Sequence, residues 1–121
     1  MSVAKTIAEI AKELGIGLEL GKVPNASYCH GRLGRKPAIV LGRYSDPELL
    51  LISFFHEVGH MLIEREEGPA LAKLCSYPKW ELERRAWLRG LWFAEQRGIH
   101  FGSQAISWAA IQLETYAGYE A

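Results

Sequence analysis

Ser45-Asp46-Pro47-Glu48-Leu49-Leu50-Leu51-Ile52-Ser53-Phe54-Phe55-His56-Glu57-Val58-Gly59-His60-Met61-Leu62-Ile63-Glu64 is the stretch from which the rest of the chain can be read. Ser45 and Glu48 have capping-box spacing, and Pro47 falls near the first helical position, where its missing N–H costs nothing. A helix is therefore expected from here to about Glu64, ending before Gly68-Pro69. Ile52, Phe54, Phe55, Val58, Met61, Leu62 and Ile63 spread apolar surface round it, so it is expected to be buried. Against that background His56, Glu57 and His60 stand out, because charged groups inside an apolar interior need partners. Gly59 stands out too. It costs about 1 kcal/mol relative to alanine inside a helix, a cost explained if a metal, a substrate or another helix comes close.

Working outward, Val3, Ile7, Ile10, Ala11 and Leu14 recur at helical spacing, with Gly15 as a stop signal. Short runs consistent with strands follow: Gly17 to Leu20, Ser27 to His30, and Pro37 to Leu41. Pro24-Asn25 and Gly34 supply turns between them. Pro37 cannot donate to a ladder, which favours an edge strand or a strand's first position. Beyond the central helix, Ala70 to Cys75 has room for an extra turn. A further helix is expected from about Lys79 to Arg97, stopping at Gly98, and a last one from about Ser103 to Tyr116. The order is helix, small three-stranded sheet, then three helices, which reads as α+β.

The bulk numbers narrow the function classes. A chain of 121 residues with 49% hydrophobic and 23% charged residues fits one globular domain, residues 1–121, and not a disordered or collagen-like class. Lys+Arg and Asp+Glu both number 14, so there is no basic excess to neutralise phosphates. The cluster Arg32, Arg35, Lys36 and Arg43 reads as a solvated hairpin, and no direct nucleic-acid binding is expected. The two cysteines, Cys29 and Cys75, are too few for a disulfide scaffold. No apolar run is long enough to span a membrane, and Met1 to Leu14 lacks the apolar core of a signal peptide. The expected compartment is the cytoplasm.

Within the central helix, His56 and His60 at i and i+4 lie on one face, with Cβ atoms about 6 Å apart. Two imidazoles so placed can converge on one tetrahedral zinc at about 2.0–2.1 Å each. Glu57 lies about 100° round the helix, beside such a site and outside its ligands, where it can serve as general base. A third ligand is needed, with a fourth position left open. Glu64, Glu66, Glu67, Cys75, Glu81, Glu83, Glu95 and His100 are the candidates. Glu83 stands three residues after Trp80 and four before Trp87, inside an apolar stripe where a lone carboxylate demands a partner. Glu81 has Arg84 and Arg85 at i+3 and i+4 and reads as a surface ion pair. Ala86, Gly90 and Ala94 in the same stripe would let another helix pack closely.

Taken together, the strands, the aliphatic Ala38-Ile39-Val40-Leu41, the helix carrying His56 to His60 and the later Glu83-Arg84-Arg85-Ala86 resemble the ImmA/IrrE-type metallopeptidases over roughly Gly17 to Arg97. The resemblance implies a minimal zincin-like domain, Zn2+ as cofactor, and Glu83 completing the site with His56 and His60. It implies peptide-bond hydrolysis by an activated water with Glu57 as base, on a protein or peptide substrate such as a transcriptional repressor. Arg85 stands where that family commonly has a second acid. The substrate would lie extended beside Pro37 to Leu41 as an added strand.

Two other readings stay open. A deformylase-like zinc hydrolase would want a cysteine ligand in a Glu-Gly-Cys context, whereas Cys29 sits in Tyr28-Cys29-His30-Gly31. A catalytically inactive zincin-fold binding or regulatory protein would need zinc only structurally, or not at all. Tyr28, Cys29, His30, Tyr77 and His100 read as packing or surface residues, with one of them able to donate to an oxyanion. The four tryptophans read as core.

Overall fold

The computed structural model of the chain describes residues 2–21, 27–29, 37–67 and 79–120. They form α1 (Val3–Leu14), β1 (Gly17–Leu20), β2 (Ser27–Cys29), β3 (Ala38–Leu41), α2 (Pro47–Glu67), α3 (Lys79–Gln96) and α4 (Ser103–Glu120). The result is mostly helical, with a small sheet. The expected turn at Ala70 to Cys75, and with it Tyr77, Arg32, Arg35, Lys36 and His30, lies outside the described residues.

The helix starts follow from side-chain capping. Ser2 accepts from the Lys5 N–H at 3.3 Å and opens α1, which closes at Gly15, where the Ile16 N–H returns to the Ala11 carbonyl at 3.0 Å. At α2 the capping residue is Asp46, whose Oδ1 accepts from the Glu48 N–H at 2.8 Å. The capping box expected of Ser45 and Glu48 is therefore replaced. The Glu48 carboxylate instead accepts from the Gly102 N–H at 2.9 Å, tying the start of α2 to the segment leading into α4.

In the sheet, β3 pairs in parallel with β1, from Gly17↔Ala38 to Leu20↔Leu41, and antiparallel with β2, from Ser27↔Val40 to Cys29↔Ala38. The order is β1-β3-β2. Pro37 precedes β3, and its carbonyl accepts from the Gly17 N–H at 2.9 Å. Of the two positions a proline allows, it thus takes the start of a central strand, not an edge. With both sides of β3 bonded, a substrate strand cannot pair with Pro37 to Leu41, and that expectation is overturned.

Ile39 and Leu41 alternate inward from β3 onto α2. They join Ile7, Ile10 and Ile16 and, from α2, Phe54, Phe55, Val58 and Met61 in the larger core cluster. A second cluster gathers Ile52, Trp87, Ala105 and Ala109, so α2 has apolar neighbours on opposite sides. The contact between α2 and α3 is backbone on backbone. A Cβ built on Gly59 would overlap the Ala86 carbonyl, and one built on Gly90 would overlap the Phe55 carbonyl. Another helix is what comes close to Gly59, through the small residues of the α3 stripe. This approach fixes how far the side chains of α3 reach across α2.

Candidate metal centre

His56, Glu57 and His60 come from the middle of α2, where the helix is surrounded by core; Glu57 is 4% exposed. Their ligand-capable atoms lie within 4.8 Å of one another. The imidazole centroids of His56 and His60 are 4.7 Å apart. Across the glycine contact, α3 brings in Glu83, itself 5% exposed. Its Oε2 lies 2.7 Å from Nε2 of His56 and 3.0 Å from Nε2 of His60. An ionised carboxylate only accepts, so in the absence of a metal the imidazoles donate to it from Nε2. The other nitrogen of His56, Nδ1, is 3.9 Å from Oε2 of Glu57.

Burial would push the Glu83 carboxyl up, but the hydrogen bonds from His56 and His60, with their charges, outweigh it and hold the group well below the usual carboxylate range. Glu83 is thus a carboxylate inside an apolar helix interface, kept ionised by two imidazoles.

Two imidazole nitrogens and a carboxylate oxygen converging from two helices are a donor set that suits zinc. Bonds of about 2.0–2.1 Å in a tetrahedron put donors about 3.3 Å apart, so Glu83 Oε2, hydrogen-bonded at 2.7 and 3.0 Å here, would need to withdraw by only about half an ångström to share an ion with the two nitrogens. The side chains of His56 and His60 keep 14% and 18% of their surface exposed, so the cluster is not sealed. On these observations the residues fit the metal.

Three of the other candidates are held by arginines. Glu81 is held by Arg84, with Arg84 Nη2 2.5 Å from Oε1, the surface pair expected of it. Glu66 pairs with Arg89 at 2.6 Å, and Glu67 with Arg85. Glu95 and His100 are exposed, and Glu64 is half-buried on α2. Cys75 lies outside the described residues.

One neighbour read from the sequence as core is core and also touches the site. Trp87 is buried and stacks on His56, with ring centroids 4.1 Å apart and planes 5° from parallel. It sits four residues after Glu83, on the same face of α3, and that spacing was the available signal. The expectation that all tryptophans fill core fails for Trp92, which is 53% exposed beneath the guanidinium of Arg89.

Comparison with protein-family models, with curated proteins and with solved structures returns no match for this chain. Among the described residues no helix is long and apolar enough to cross a membrane.

Proposed function

We propose that the chain is a zinc-dependent metallopeptidase similar to the ImmA/IrrE type, a minimal zincin-like arrangement in which His56, His60 and Glu83 hold the metal and Glu57 is the general base. The observation that carries this reading is the Glu83 carboxylate, buried on α3 and hydrogen-bonded by both histidines of α2. Burying a carboxylate is costly, and surface positions on the same helix were available for an ordinary ion pair.

Bound zinc would supply Lewis acidity, lowering the pKa of a water towards about 7 and polarising the scissile carbonyl. Glu57 then takes a proton from the attacking water. As the water oxygen bonds to the carbonyl carbon and the C–N bond breaks, Glu57 passes that proton to the leaving amine. Glu83 and the two imidazoles stay where they are and carry no proton in this step. The substrate is a protein or peptide, with a regulatory protein such as a repressor as the first to try. Of the strands, β2 is the edge beside α2, bonded on one side only among the described residues, and an extended substrate would pair there.

The test is cleavage of a peptide library, and of candidate regulators, by zinc-loaded wild type and zinc-loaded Glu57→Gln. Activity is expected to fall about 10²–10⁴-fold in the variant, with zinc content unchanged. Undiminished cleavage by Glu57→Gln rejects this mechanism. Zinc binding with no cleavage by either protein would favour the inactive binding or regulatory alternative.

A further inference from the structure

A row of aromatic rings leads from outside the centre to one of its imidazoles. Tyr44, just before α2, meets Trp108 of α4 edge to face, with centroids 5.7 Å apart and planes at 87°. Trp108 meets Trp87 in the same manner, at 6.2 Å and 81°. Trp87 then lies flat on His56.

We infer that Trp87, backed by Trp108, is a positioning residue that holds the His56 ring in the plane in which Nε2 points at Glu83; this rests on the reading of His56 as a metal ligand. A parallel stack at 4.1 Å resists rotation of the imidazole, because turning the ring about its bond to Cβ drives an edge into the indole face. Nε2 is drawn to Glu83 on one side, and Nδ1 faces Glu57 on the other. Those two directions leave the tilt of the ring to be set by a wall, and Trp87 is that wall. Since Glu83 and Trp87 lie one turn apart on α3, the ligand and the wall arrive together. Nε1 of Trp87 is buried with no hydrogen-bond partner among the described residues, so ring contacts, not a polar bond, define its place. Helix α4, which supplies none of the metal donors proposed above, thereby acts on the centre through Trp108. A ligand ordered before binding loses less freedom when the metal arrives, and outer partners of metal ligands affect affinity for this reason.

The experiment measures zinc affinity by chelator competition for wild type, Trp87→Leu, Trp87→Phe and Trp108→Leu. It also measures the Co2+ absorption spectrum and, without metal, the NMR shifts of the His56 ring protons. Trp87→Leu is expected to weaken zinc binding about tenfold or more, alter the Co2+ spectrum and abolish the upfield ring-current shift at His56. Trp87→Phe, which keeps a flat ring, is expected to recover most of the affinity and part of the shift. Trp108→Leu is expected to weaken binding less and move the same His56 signals. Wild-type affinity in Trp87→Leu overturns the inference, and equal losses in the Leu and Phe variants overturn it too, by assigning the effect to volume. If Trp87→Leu does not fold, Trp108→Leu decides: unchanged affinity and unchanged His56 shifts overturn it. A wild type that takes up no zinc overturns the metal reading itself, and this inference with it.

Discussion

Gly59 of α2 faces the carbonyl of Ala86 on α3 with no room for a methyl group between them. Gly59 precedes His60 by one residue, and Ala86 follows Glu83 by three. The place where the two helices touch therefore sets the separation at which Glu83 Oε2 reaches both imidazoles.

Gly59→Ala tests that relationship. Helix propensity alone would favour alanine by about 1 kcal/mol. Overlap with the Ala86 carbonyl opposes it, and forcing atoms into a packed interior costs about 1–3 kcal/mol, sometimes more. The overlap is with backbone, which cannot swing aside as a side chain can, so the upper end of that range applies. The expected outcome is net destabilisation of about 2 kcal/mol in urea unfolding, together with weaker metal binding as α3 is pushed outward. Stabilisation by alanine would show that the helices do not meet as described.

The start of α2 gives a second test. Asp46→Ala should lower stability by about 1 kcal/mol, since it leaves the Glu48 N–H without its cap. Ser45→Ala should be close to neutral. A loss at Ser45 and none at Asp46 would restore the capping box suggested by spacing alone.

That contrast illustrates what the sequence could convey. The four helices were legible because apolar spacing and stop signals such as Gly15 and Gly98 are local features. So was the burial of Glu83, because a charge within an apolar stripe is visible at helical periodicity. The small residues Gly59, Ala86 and Gly90 announced a close approach, and α2 and α3 make it. Strand order was not legible. Runs of three or four residues carry little register information, and Pro37 is compatible both with an edge and with the start of a central strand. The choice between Ser45 and Asp46 as cap depends on one turn of backbone that spacing does not resolve. The stack of Trp87 on His56 needs the helix separation itself, which no single helix's pattern contains. Helix α4 runs to Glu120, past the expected end at Tyr116 and through Gly118, a glycine that does not stop it.

The two glutamates of α3 should behave differently. Glu83→Ala removes the carboxylate on which both imidazoles converge, and zinc affinity is expected to fall by at least about tenfold, the scale on which even outer partners act. Glu81→Ala breaks only the surface pair with Arg84 and is expected to leave zinc content and unfolding unchanged. Chelator competition on both variants checks this. Zinc retained in the Glu83 variant and lost in the Glu81 variant would invert the proposed ligand set.

The most direct test of the proposal is the metal content of the purified protein. After chelator treatment and titration with zinc, elemental analysis is expected to give about one zinc per wild-type chain, with His56→Ala and His60→Ala each losing most of it. Binding should also raise the unfolding temperature, as any ligand preferring the folded state does. A wild-type chain that takes up no zinc, or histidine variants that bind it as well as wild type, would contradict the metal centre proposed between α2 and α3.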